Sequence, residues 1–340
     1  MLVVGRRDTV LFAKGYGRFT WSARSPRANP DSTIWDLASV TKVVGTTTAL
    51  MLLVERGQVR LDEPVATYLP EFTGRGTAAI SVRHLLTHTS GLRPTLPLAR
   101  AAPDAATALR MVLAATPTFP LGSRVVYSDL NAILLGEIVR RTAGEPLDTF
   151  VTREVLVPLE MRETLYRPPA RLRPRIAPTN LWRGHPIAGE VNDPTAGKLG
   201  GVAGHAGLFG TAADLGRFAR FMLAGGVAPS TGRRMVREET VRAFTALAVP
   251  AKAGASARAL GWQALPTGEA VSSAGSMFGP RSYGHTGWTG TSLWIDPDRD
   301  LFVILLTNRA FAPRSGRSLT VLKEVRGRVA DAAARAADGR

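Results

Sequence analysis

Ser39 and Lys42 lie three residues apart in "DLASVTKVVGTTTALMLLVERG" (36–57). Val43, Val44, Leu50, Leu52, Leu53 and Val54 recur there as the apolar side of a core helix. One helical turn separates the serine from the lysine, so both occupy one face. A buried ammonium is costly unless something uses or compensates it. A serine hydroxyl is a poor nucleophile until a base takes its proton. A lysine with its pKa lowered by burial and neighbouring positive charge can serve as that base or as a relay. Ser39 also stands near a helix start, where free backbone N–H groups favour developing negative charge. No other lysine in the chain has a serine three positions before it. The structural alternative is a capping serine beside a snorkelling lysine.

Two further constellations qualify. Tyr127-Ser128-Asp129 immediately precedes a helical pattern. It offers a phenol to share a proton with Lys42 and a polar group at 129 to hold substrate or lysine; the alternative is a plain N-cap with a packed aromatic. His285-Thr286-Gly287 falls in an extended run that continues "WTGTSLW". Its glycine allows close approach of backbone or ligand, and an exposed strand edge there would pair with a substrate amide. Other chemistries fare worse. There is no G-x-S-x-G elbow. His84 and His88 have metal-ligand spacing, but Leu85 stands where a zinc protease carries glutamate, so both read as structural histidines and no metal is expected. Gly5, Gly15 and Gly17 make no phosphate-binding fingerprint.

The elements that must position these residues are legible in outline. "LVV", "TVLFAKGYG" and "RFTWSA" alternate as N-terminal strands. "LGWQAL", "SYGHTGWTGTSLWIDP" and "DLFVILLTNR" repeat the signal near the C-terminus, with "DPDRD" (296–300) as a turn. The middle is helical. Ser81 caps "VRHLLTH", Ser128 and Asp129 open a helix ending near Gly144, and a Thr211-to-Asp214 capping box opens one ending at Gly225. The last segment is a helix with Leu319, Leu322, Val325 and Val329 on one stripe. The expected fold is therefore α/β (α+β): a sheet built from both chain ends, flanked by helices, with an inserted mainly helical lobe. We read 1–340 as a single catalytic domain, its α/β lobe 1–40 plus 258–340 and its helical lobe 41–257, with the site in the groove between them.

Composition bounds the partners. The 340 residues hold no cysteine, which removes disulfides, thiol nucleophiles and cysteine-ligated zinc. The formal net charge is +16, yet lysine occurs only at 14, 42, 198, 252 and 323. The densest arginine run, "RPPARLRPR" (167–175), is broken by proline and lacks interleaved aromatics, so nucleic acid is not expected. No apolar run is long enough to span a bilayer, and no signal-peptide pattern opens the chain, so its localisation, cytoplasmic as given, is left open between cytoplasm and export. Oligomeric state is not readable.

Taken together, Ser39-x-x-Lys42, Tyr127-x-Asp129 and His285-Thr-Gly287 resemble the motifs of the serine penicillin-recognising enzymes. The nearest likeness is to class C β-lactamases, D-alanyl-D-alanine carboxypeptidases and β-lactamase-like carboxylesterases. "HLLTHTSGL", "PLEMRETLY" and "GHAGLFGTAADLGRF" are similar to accessory stretches of that group. The resemblance implies an acylated Ser39, proton transfer shared by Lys42 and Tyr127, and an oxyanion hole from the backbone N–H groups of Ser39 and Trp288. It implies substrate contacts from Asp129, His285, Thr286 and Gly287, and no cofactor. Asp129 stands where asparagine is common, which favours a protonated Lys42 and shifts base duty toward Tyr127. His285 stands where efficient β-lactamases carry lysine. The family's helix ahead of the first strand has no counterpart before Leu2, which would uncover the apolar side of the terminal helix. Trp288 adds bulk that would narrow the acyl pocket. The expected function is an SxxK serine hydrolase acting through an acyl-enzyme on a small ester, β-lactam or peptidoglycan-type D-Ala amide, with the carboxylesterase or penicillin-binding type favoured. A β-lactamase or D-alanyl-D-alanine carboxypeptidase is the runner-up, and a non-catalytic cell-wall-peptide or β-lactam binding module is the rival of another class.

Overall fold

The two chain ends meet edge to edge in one antiparallel sheet. A computed structural model describes residues 1–182, 185–252, 256–311 and 318–339. Strands β1 (Leu2–Gly5) and β2 (Val10–Lys14) form the N-terminal hairpin. The short β3 (Trp35–Asp36), β4 (Leu165–Tyr166) and the β5–β6 hairpin (Asn180–Trp182 and His185–Ile187) follow, then β7 (Leu208–Gly210). β8 (Gln263–Ala264), β9 (Tyr283–Thr286), β10 (Ser292–Asp296) and β11 (Leu301–Leu305) complete the set. The main sheet runs β2-β1-β11-β10-β9-β8, so β1 pairs with the last strand, Leu2 opposite Leu305. The expected third N-terminal strand, "RFTWSA", does not form: Arg18 makes only an isolated bridge to Arg27.

Side chains alternate across a strand, and both faces of this sheet are covered over its inner strands, whereas β2 is exposed along its length. Val3, Leu293, Ile295, Phe302 and Ile304 point into the main core, which includes Phe218. Trp294, Leu301 and Val303 point the other way, onto Ala330, Ala333 and Ala334 of the terminal helix.

The helices that matter are α1 (Thr48–Glu55), α2 (Val82–Leu86), α3 (Asp129–Ala143), α4 (Ala212–Leu223) and the terminal α5 (Leu319–Ala337). A π-helical stretch, Lys42–Thr47, leads directly into α1. Among the described residues, Ala38–Glu55 is the one helical stretch long and apolar enough to cross a bilayer by composition, but 83% of it is buried inside the protein. Gly144, in the left-handed conformation at φ +70°, ends α3.

Some local expectations are corrected. Ser128 precedes α3 but does not cap it, because its hydroxyl donates to the Arg93 carbonyl. Thr211 does cap α4, whereas Asp214 turns away to accept from the Glu163 N–H and the Thr164 hydroxyl. On α5 the buried face is Arg326, Gly327, Ala330, Ala333 and Ala334, while Leu319 and Val325 are exposed. Small alanines let that helix approach the sheet closely; of the expected stripe, Val329 packs against the same cluster and Leu322 is half-buried.

β3, β7 and β4 make a second small sheet, with Asp36 opposite Phe209. This pairing matters for function, since β3 runs straight into the turn carrying Ser39.

Candidate active site

Ser39 lies in a single 3₁₀ turn, Ala38–Val40, between β3 and the Lys42 helix. Ala38 adopts φ +47°, a left-handed conformation that alanine rarely takes. Its surroundings hold it there. The Ala38 N–H donates to Asp36 Oδ1 at 2.8 Å, and the hydroxyls of Thr289 and Thr291 donate to the Asp36 and Leu37 carbonyls at 2.8 and 2.9 Å.

Lys42 Nζ donates to Ser39 Oγ at 3.0 Å and to the His205 carbonyl at 3.0 Å, and it pairs with Asp129 Oδ1 at 2.8 Å. Two hydrogen-bond acceptors and one carboxylate thus surround the ammonium. Burial pushes the Lys42 pKa down, but the Asp129 carboxylate, joined by Tyr127, outweighs it and the net direction is upward. The net direction is thus opposite to that expected from burial alone, and the aspartate at 129 is the main cause.

Tyr127 is packed among cations and imidazoles. Lys42 Nζ lies 5.0 Å and Arg258 Cζ 5.3 Å from its ring centre, and the His88 and His285 rings lie 4.8 and 5.9 Å away. Both histidines are held neutral. Burial, followed by the charges of Lys42 and Arg258, pushes His285 down to about 3; burial and the same two cations drive His88 well below its ordinary value. His88 Nδ1 faces the Ser128 N–H at 3.2 Å and the Asn131 amide at 3.1 Å, which orients the ring. His84 and His88 do not share a site: His84 closes a reciprocal capping box with Ser81.

β9 brings His285 and Thr286 alongside the turn. A Cβ on Gly287 would come within 2.6 Å of the Leu37 carbonyl oxygen, so only glycine permits this approach. Buried Arg326 of α5 fixes the following bend by donating to the Thr291 carbonyl at 2.8 Å. The Trp288 N–H, just beyond β9, donates to no carbonyl among the described residues. Trp288 is 59% exposed, with the Arg309 guanidinium 5.1 Å from its ring centre.

Sequence reasoning missed Arg258, Asp36, Asp193 and His205. Nothing local marks Arg258: it is a buried arginine between irregular segments, with Nε unpartnered in the structure. "GHAG" did point to the His205 stretch, but not to what it touches. Asp129, Asp193 and His205 bring donor atoms within 4.8 Å of one another, a grouping able to hold a metal ion in principle. Here the Lys42 ammonium already supplies the cation beside Asp129, and its charge opposes a divalent ion. A separate cavity of about 480 Å³ between α3 and residues 199–204 contains none of the candidate residues.

Comparison with known proteins gives the family and the fold. The model of the beta-lactamase family matches residues 1–325. A putative D-alanyl-D-alanine carboxypeptidase of Salmonella schwarzengrund (strain CVM19633) is 31% identical, over 92% of this chain and 79% of its own. A class C beta-lactamase from Rhodobacter sphaeroides superimposes with a TM-score of 0.75 at 19% identity, covering 97% of this chain and 93% of that one. EstCE1, a hydrolase with promiscuous acyltransferase activity, gives 0.74 at 22% identity over 97% and 92%. At those identities the two structures speak to the fold alone.

Proposed function

Since the chain belongs to the beta-lactamase family of hydrolases, we propose that Ser39 is its nucleophile and that it hydrolyses small esters and D-alanyl-type amides through an acyl-enzyme. The observation that carries this reading is the buried Lys42 ammonium, 3.0 Å from Ser39 Oγ and clustered with the half-buried Tyr127 and Asp129. Ser39 Oγ attacks the carbonyl carbon. Its proton passes to Tyr127 and on to the leaving oxygen or nitrogen as that bond breaks, leaving an acyl ester on Ser39. A water molecule then attacks the ester by the same path in reverse.

Lys42 acts as a fixed positive charge that polarises Ser39, because Asp129 keeps its proton in place. The Ser39 and Trp288 N–H groups receive the oxyanion. Thr286 and the edge of β9 align the substrate backbone. The neutral His285 adds hydrogen bonding but no charge, so the positive field of the site comes from Lys42 and Arg258. The relative named as a putative D-alanyl-D-alanine carboxypeptidase supports the amide branch, and the mobile acyl chemistry of an SxxK serine supports the ester branch.

The test is intact-mass spectrometry of the protein after brief exposure to a penicillin, with p-nitrophenyl acetate, p-nitrophenyl butyrate and a D-alanyl-D-alanine peptide assayed in parallel. A persistent adduct on Ser39 with ester or peptide turnover supports the proposal. Rapid loss of penicillin without a lasting adduct makes the protein a β-lactamase. No adduct and no turnover, in parent as in Ser39→Ala, overturns it in favour of a binding module.

A further inference from the structure

The loop from Asn192 to Leu208 is tied to the nucleophile segment at every available point. The Asn192 N–H donates to Asp36 Oδ2 at 2.7 Å, while the other oxygen of the same carboxylate holds the Ala38 N–H. Burial raises the Asp36 pKa to about 6, with these two backbone donors acting in the opposite sense. Further along, the Gly204 carbonyl accepts from Thr46 Oγ1 at 2.8 Å and the His205 carbonyl from Lys42 Nζ at 3.0 Å. Two successive carbonyls are thus bound by two residues one helical turn apart. The Leu208 N–H donates to Thr41 Oγ1 at 3.1 Å.

One side-chain contact closes the loop on itself. Asp193 Oδ1 accepts from buried His205 Nε2 at 3.0 Å and also from the Ala196 N–H at 2.8 Å. Burial alone would raise the Asp193 carboxyl, but the His205 contact leads a set of opposing terms that hold it at about 2. Gly204 meanwhile rests on α3: a Cβ there would sit 1.9 Å from the Ala132 carbonyl oxygen. His205 therefore has a defined place between α3 and the Lys42 helix, and Asp193 sets it.

We propose that Asp193 and His205 are positioning residues for Lys42, forming with Asp36 a closed ring that runs from the Ser39 turn through the 192–205 loop back to the ammonium. The His205 side chain, anchored by Asp193, aims its own carbonyl at Nζ. This supplies the third acceptor and leaves the ammonium directed at Ser39. The claim rests on the catalytic reading above for its consequence, but not for its geometry. The other groups facing the ammonium are Tyr127, Asp129, His88, Arg258 and His285. Asp129 lies beside the Asp193–His205 contact, with donor atoms of the three residues within 4.8 Å, and the Asp193 carboxylate also feels the Lys42 charge.

The chain has only five lysines, so ¹⁵Nε-lysine NMR resolves Lys42 directly, with Lys42→Arg assigning its signal. In His205→Ala the Lys42 titration midpoint is expected to fall by about one pH unit or more, the loss of one hydrogen bond to a charged donor. In His205→Gln, whose Nε2–H reaches Asp193, the midpoint stays at the parent value. Turnover of p-nitrophenyl acetate falls in kcat by about 10- to 100-fold in His205→Ala with little change in KM, as a displaced catalytic group demands. If His205→Ala does not fold, His205→Leu fills the space without a donor for Asp193 and is read in the same way; Asp193→Ala is unsuitable because it also removes a negative charge that acts on Lys42. A folded variant whose Lys42 titrates as in the parent overturns the proposal. Fluorophosphonate labelling of Ser39 is followed alongside: an unlabelled parent defeats the catalytic reading, while the titration still decides the positioning claim.

Discussion

Lys42 Nζ stands 2.8 Å from Asp129 Oδ1, an ion pair formed at the back of the nucleophile. The lysine is almost wholly buried, while the aspartate keeps some contact with solvent. That asymmetry governs the chemistry. With the carboxylate beside it and reached by solvent, the buried ammonium has a strong reason to keep its proton.

Asp129→Asn is therefore expected to lower the Lys42 pKa. The sign follows from the raised folded value: Lys42 contributes stability that is complete below its unfolded pKa near 10.5 and is lost as pH rises through the folded one. Removing Asp129 deletes that contribution. The alkaline limb of kcat/KM against pH should move to lower pH in the variant. An unmoved limb would show that Asp129 does not control the lysine.

Ser39→Ala and Lys42→Ala should each reduce ester turnover by several orders of magnitude, and the double variant should be little worse. Members of one catalytic unit are non-additive. Steady-state kinetics on all three proteins checks this, and full activity in either single variant would remove that residue from the mechanism.

His285 and His88 impose an acid limit on stability. Their folded pKa values lie below the unfolded value near 6.5, about 3 for His285. The unfolded chain thus binds more protons in that window, and stability falls as pH drops below about 6.5. Urea denaturation at pH 7 and pH 5 should show the parent losing more stability than His285→Asn, which cannot titrate. Equal losses would contradict the buried neutral imidazole.

Gly204→Ala should destabilise the protein by about 1–3 kcal/mol, the usual cost of overpacking. The added methyl meets the Ala132 carbonyl oxygen and the Gly136 Cα, both backbone, so neither yields cheaply. Thermal denaturation measures the loss. A parallel drop in kcat is expected because the same shift moves the His205 carbonyl away from Lys42.

Much of the site was legible before the fold. A lysine in an apolar helix, a serine one turn ahead, a tyrosine before a capped helix and a glycine-bearing strand each demand particular chemistry or backbone, and those demands are local. The strand pattern at both chain ends likewise foretold one shared sheet, because period-two alternation survives in the sequence. The terminal helix was misread for the opposite reason. Leu319 and Val325 form a fair apolar stripe, yet close packing selected the alanine face instead. The exposure of Trp288 and its contact with Arg309 are likewise tertiary facts that its size does not give.

What the sequence determined by itself is the inventory: which groups exist, which of them share a helical turn, and where the backbone must bend or approach closely. The tertiary structure alone decided the electrostatics. Asp129, Arg258, Asp193 and His205 come from separate segments, and their effect on Lys42 and Tyr127 depends on distances of a few ångströms. Charge interactions are set by separation and burial, and neither is written in the spacing of residues along a chain.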